Sequence, residues 1–180
     1  MAGNGKQDQF RLGFLTAIDV PERGFVGGLL VTNRQGRPLE FQCTTPVKAN
    51  PTQQVLYGPT LTPFILGELI GGVLVEKACI KPHLILTDRK PILELRNHIA
   101  TPVLWVALPE SEPATDACIP FESIEIPLGK QVVRIDASHA EDRGLIEQEA
   151  GQLPKEADLC EPFRRVHEAL LETVRGGASR

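Results

Sequence analysis

Long hydrophobic runs are missing from this 180-residue chain. The longest nearly apolar stretch, residues 64–75, covers 12 positions and is interrupted by Glu68. A helix needs about 20 apolar residues to cross a bilayer, so no membrane span is expected. Residues 1–9 (MAGNGKQDQ) are small and polar, which fits a frayed terminus rather than a secretory leader. Aromatic residues make up only 5% of the chain, with one Trp and one Tyr, so the core has to be aliphatic. The four cysteines, Cys43, Cys79, Cys118 and Cys160, form no C-x-x-C pair. This argues against a structural zinc site or a redox dithiol, and points to reduced, mostly buried thiols in a cytoplasmic protein. A basic excess is missing too. The net charge of −4 divides into +3 over residues 1–106, −9 over 107–161 and +2 over 162–180, so the footprint of a general nucleic-acid binder is absent at whole-chain level.

What is present is an ordinary globular composition, 42% hydrophobic and 23% charged, at a length that suits one domain with an appendage. Residues 11–20, 25–33 and 37–44 are β-prone and are separated by Pro21-Glu22-Arg23-Gly24 and Asn33-Arg34-Gln35-Gly36. Short turns of this chemistry join antiparallel strands into a meander. In the third strand Leu39, Phe41 and Cys43 alternate with Glu40, Gln42 and Thr44, which predicts the first set in the core and the second toward water.

The period then changes. Asn50-Pro51 predicts a short helix ending at Gly58-Pro59. A longer helix over residues 62–77 follows from the faces Ile65, Leu69, Val73 and Leu66, Ile70, Leu74. Its Gly67, Gly71 and Gly72 suggest close approach to a sheet. A strand over 83–87, a helix over 88–98 and a strand over 101–108 come next, so the class is α/β with a mixed sheet and right-handed crossovers. Residues 109–120 are acidic and proline-rich. Two β-like stretches, 123–128 and 131–136, and a helix over 138–150 follow. The chain closes on a C-terminal amphipathic helix with Phe163, Val166, Leu170 and Val174 on one stripe. The expected organisation is a flexible start over 1–9, an α/β core over 10–108, an acidic, partly ordered extension over 109–160, and a terminal helix and tail over 161–180.

Specific catalytic signatures are scarce. The start lacks the strand and the Ser/Thr that a phosphate loop requires. No G-x-S-x-G elbow occurs, and His83, His98, His139 and His167 show no i, i+4 pairing. Arg34 and Arg37 flank the second hairpin tip, where cations are either solvated or meet a partner.

The element order, with GELIGGVLVEKACIKPHLILTDRKPIL at residues 67–93, resembles the ribonuclease H-like fold. The hairpin over 17–41 also resembles the opening of sugar-kinase and actin-like ATPases, but lacks the phosphate-cradling glycines after its first Asp. The ribonuclease H-like resemblance implies metal-binding carboxylates at Asp19, Glu68 and Asp88, with Glu141 or Asp142 as a fourth and His139 nearby. Two hard cations about 3.5–4 Å apart, held by such oxygens, activate a water and stabilise a leaving phosphodiester oxygen. Each carboxylate also has a structural account: Asp19 opens a turn, Glu68 sits at a helix's wet edge and Asp88 caps the next helix. Asp19 is followed by Val20-Pro21-Glu22, and Pro63-Phe64-Ile65-Leu66 leads into the helix; both depart from the family's pattern. The leading expectation is therefore a non-catalytic cytoplasmic interaction or accessory module with a protein partner and no cofactor. The alternative is a divalent-metal-dependent nuclease taking Mg²⁺ or Mn²⁺ and a nucleic-acid substrate.

Overall fold

The meander forms as the sequence predicts. The structure is a computed structural model describing residues 9–109, 113, 116 and 119–177. Most of the expected flexible start, part of the acidic stretch with Cys118, and the last three residues lie outside them. Strands β1 (Arg11–Val20), β2 (Gly24–Asn33) and β3 (Pro38–Cys43) pair antiparallel in sequence order. Gly24 closes the first turn at φ 97°, and a Cβ there would fall 2.2 Å from the Val47 carbonyl oxygen. Only glycine meets both conditions.

Strands β4 (Leu84–Thr87) and β5 (Val103–Val106) extend the sheet in parallel from β1, and β6 (Ser123–Leu128) and β7 (Gln131–Asp136) complete it antiparallel. The order is β3-β2-β1-β4-β5-β7-β6. Every residue of β4 and β5 is buried, which is why both read as continuous apolar runs rather than alternating ones. Ile126, Leu128, Val133 and Ile135 from β6 and β7 share one core with Leu12, Phe14 and Phe163.

Both faces of the sheet carry helices. Helix α1 (Pro51–Lys77) covers one face; α2 (Asp142–Ala150) and α3 (Glu161–Gly177) cover the other. The adjacent glycines of β2 explain how closely two helices approach, because successive strand residues face opposite sides. A Cβ on Gly27 would lie 2.0 Å from Ile70 of α1, and one on Gly28 would lie 2.9 Å from Leu170 of α3.

Four details differ from the sequence expectation. First, α1 runs through Gly58-Pro59 by way of a 3₁₀ turn (Gly58–Thr60) and a π-helical stretch (Phe64–Gly71). Pro59 and Pro63 remove donors from the i→i+4 ladder, and the backbone adopts other spacings. A π turn aligns i with i+5, so Ile65 and Ile70 are buried together while Leu69 and Val73 turn outward. The resulting 27-residue helix, with a mean hydropathy of 1.4 over its most apolar window, is long and apolar enough to cross a bilayer by length and composition. Here its Ile65, Leu66, Ile70 and Leu74 pack into the core against Leu15 and Leu29.

Second, β3 keeps its alternation with the faces reversed: Leu39, Phe41 and Cys43 are exposed, and Glu40 points inward. The Glu40 carboxylate accepts from the backbone N–H groups of Cys79 (3.0 Å) and Ile80 (2.7 Å), where the chain leaves α1. This edge strand therefore turns its half-exposed acid inward to satisfy backbone donors. Third, the segment after β4 is a 3₁₀ helix (Lys90–Asn97), narrower than the expected α-helix. It lies so close to α1 that a Cβ on Gly67 would be 2.8 Å from that of Glu94, so Gly67 serves contact between helices rather than contact with the sheet. Fourth, the thiols of Cys43 and Cys79 are exposed and that of Cys160 is half-buried, because they sit on an edge strand, a turn and a helix entrance.

Candidate functional site

In open α/β sheets ligands gather beyond the carboxyl ends of the parallel strands. The carboxyl ends of β1 and β4 border a cleft of about 280 Å³, lined by Asp19, Phe25, Thr62, Asp88, Arg89 and His167 among others. Thr16 stands in β1 on the face that α3 covers, directly opposite Gly28 of β2. Asp88 directly follows β4, and His167 projects from α3. The Thr16 hydroxyl donates to Asp88 Oδ1 at 2.5 Å, and His167 Nε2 lies 3.0 Å from Asp88 Oδ2 and 3.2 Å from Thr16 Oγ1. The Asp88 side chain is only 2% exposed. Its carboxylate thus has a partner on each oxygen, as a buried acid requires.

Beside it, Arg89 forms a second closed unit. Its Nε and Nη2 donate to the two oxygens of Asp116 at 2.6 and 3.2 Å, and Nη1 donates to the Ala17 carbonyl at 2.7 Å. The Arg89 and Asp116 side chains are 7% and 0% exposed. A bidentate pair of this geometry fixes orientation as well as charge. It ties the acidic segment to β1 and β4, while the Trp105 indole N–H donates to the Asp88 carbonyl at 3.3 Å.

Of the carboxylates singled out from the sequence, the structure brings two together. Asp19 and Asp88 line the same cleft, with Asp19 exposed near the end of β1. Asp88 does not cap the following helix, whose N-cap is Arg89 with no side-chain capping bond. Glu68 borders a different groove with Tyr57, Phe64 and Glu94, its carboxylate 3.8 Å from His98. Asp142 is held by Arg96, Oδ2 to Nε at 2.7 Å and Oδ1 to Nη2 at 3.0 Å. Arg96 also donates to the Ile99 carbonyl ahead of β5 at 2.8 Å, and the bond to Asp142 raises its pKa. Glu141 is exposed beside His139 and Arg96, and its pKa is lowered first by a backbone hydrogen bond.

Among the described residues no group of three or more His, Cys, Asp or Glu side chains is placed to hold a metal ion. A pair of hard cations needs several carboxylate oxygens around common points. One exposed acid beside an acid already bonded on both oxygens does not fit that need. The cluster is not a hydrolytic relay either. Such a relay uses one imidazole nitrogen for the acid and the other for the nucleophile, whereas Asp88 and Thr16 share Nε2 of His167, and Thr16 is completely buried. What the arrangement does chemically is bind β1, β4 and α3 to one buried carboxylate. Sequence reasoning missed Thr16, Arg89, Asp116 and His167. The only local signal was a Thr-Asp-Arg sequence closing an apolar strand, since Thr16 and His167 are 72 and 79 positions from Asp88.

No family model matches this chain, and no curated protein matches it.

Proposed function

We propose that this chain is a ribonuclease H-like domain serving as a non-catalytic interaction or accessory module in a reducing, cytoplasmic setting, with another protein as partner. The fold part rests on strand order: a β1–β3 meander, then β4 and β5 added in parallel on the far side of β1. The observation that carries the functional part is the fate of the acids. Asp88 is bonded by Thr16 and His167, Glu68 sits beside His98, and Asp142 is taken by Arg96. The first turns of α1 support a docking role. They are capped by Asn50 and Gln53, bury none of their residues, and leave Val55 and Leu56 81% and 77% exposed. Ordinary surfaces carry single exposed aliphatics; this is an adjacent pair on an ordered helix.

The competing reading, a Mg²⁺- or Mn²⁺-dependent nuclease, draws on Asp19 and Asp88 sharing one cleft. Thermal unfolding with and without millimolar Mg²⁺ or Mn²⁺, on the wild type and Asp88→Asn, separates the two. A metal at ten times its Kd would stabilise the native state by about 1.4 kcal/mol through mass action. The module reading expects no metal-dependent shift and no cleavage of single-stranded, duplex or hybrid substrates. A metal-dependent rise that vanishes in Asp88→Asn would overturn it in favour of the nuclease.

A further inference from the structure

A pocket of about 370 Å³ lies at the other end of the sheet, within the size range of small-molecule sites. It opens between the β2–β3 hairpin tip, the segment around residues 153–159 and the first turn of α3. Its apolar wall includes Leu12, Phe14 and Leu159, all buried. Thr32 also lines it. This residue is 0% exposed, and its hydroxyl has no hydrogen-bond partner. Buried hydroxyls nearly always have a partner, and leaving one without is costly. Arg165 reaches the same pocket from α3. Two of its nitrogens are used, Nη1 on the Gly36 carbonyl at 2.9 Å and Nη2 on Glu161 at 3.0 Å, but its Nε is buried without a partner. One pocket thus holds two buried donors for which the described protein supplies no acceptor.

The charges narrow the choice of acceptor. Besides Arg34 and Arg165, the lining holds Glu156, Asp158 and Glu161. A phosphate or other polyanion would meet a net negative lining, whereas a ligand carrying both signs would not. Glu161 is engaged by Arg165, and Asp158 accepts from the Cys160 N–H and the Gln131 amide. Glu156 is exposed at the pocket's side.

We propose that this pocket binds a free α-amino acid with an apolar side chain. Its carboxylate accepts from the Thr32 hydroxyl and Arg165 Nε, its ammonium faces Glu156 and Asp158, and its side chain covers Leu12, Phe14 and Leu159. The assignment is independent of the module reading, since it uses no residue of the cleft.

The test is titration of the full chain with L-leucine and L-phenylalanine up to 10 mM, followed by calorimetry and thermal unfolding. Glycine, leucinamide and N-acetyl-leucine serve as probes lacking one feature each, and inorganic phosphate as a probe offering an anion alone. The expected result is saturable binding of leucine or phenylalanine that is at least tenfold tighter than that of any of the four probes. Thr32→Val should weaken it at least tenfold while leaving the unliganded Tm unchanged or higher, and Arg165→Lys, which keeps the charge and loses Nε, should weaken it similarly. Three results would overturn the proposal: no response to either amino acid at 10 mM, equal binding by Thr32→Val, or a probe that binds as well as the amino acid.

Discussion

The two ends of this sheet handle buried polar groups in opposite ways. At the carboxyl ends of β1 and β4, Thr16, Asp88, His167, Arg89 and Asp116 satisfy one another. At the other end, Thr32 Oγ1 and Arg165 Nε, on residues that line a pocket, are each without a hydrogen-bond partner among the described residues. Depth of burial does not separate the cases, because Thr16 and Thr32 are both 0% exposed on the same face of the sheet. What differs is whether the fold has supplied the partner. A cluster that closes on itself holds elements together, whereas one left open is a site whose partner comes from outside. The acidic cleft drew attention from the sequence because acids are easy to read, yet it is the more self-contained of the two.

The largest effect is expected at Arg89. Arg89→Leu leaves Asp116 fully buried without its bidentate cation, a change that costs about 3–5 kcal/mol at such sites. Denaturant unfolding at pH 7 should show that loss as a lower midpoint with an unchanged slope. A loss below about 1 kcal/mol, the value of an exposed ion pair, would mean that the cleft is hydrated rather than closed, and the contrast between the two ends would collapse.

A paired substitution isolates the comparison itself. Thr16→Val removes a donor to a buried charge and should cost about 1.5–3 kcal/mol, while Thr32→Val removes a hydroxyl with no partner and should be neutral or stabilising. The side chains match in volume, so packing changes little between the two. Equal losses in both variants, read from the same unfolding curves, would show that Thr32 is satisfied in solution and that the pocket is not waiting for an acceptor.

Much of the fold was legible because it is written locally. The turn residues around Gly24 and Gly36, the continuous apolar runs of β4 and β5, and the stripe of Phe163, Val166 and Leu170 each carry their own signal. What local pattern could not decide was orientation and long-range pairing. Alternation in β3 predicts the apolar face inward, and it is the bonds from Cys79 and Ile80 to Glu40, about forty positions away, that turn the less hydrophobic face in. Glu68 came from the resemblance alone, and the helical faces drawn around it assumed a regular spacing that the π stretch over Phe64–Gly71 does not have. Of the site, the sequence marked Asp19 and Asp88, but not the groups that occupy Asp88. Arg89 and Asp116 lie 27 positions apart, with a proline-rich stretch between them that reads as a linker.

Glu40 offers a control on the pocket's own end of the sheet, on the opposite face. It shows whether location or satisfaction governs the contrast. Its pKa is lowered, chiefly by the hydrogen bond from the Gln42 amide and then by the N–H groups of Cys79 and Ile80. A carboxyl held lower in the folded than in the unfolded state stabilises fully above its unfolded value, near 4.3, and loses that contribution as pH falls through the folded value. Glu40→Gln should therefore destabilise by about 1 kcal/mol at pH 7, and its gap from the wild type should close as the pH is lowered below about 4. Paired unfolding curves from pH 7 to pH 3 measure this. A gap that stays constant down to pH 3 would trace the loss to shape rather than charge, and a gap absent at pH 7 would show that satisfied acids at this end contribute nothing. The second outcome would leave location, not partnership, as the difference between the two ends of the sheet.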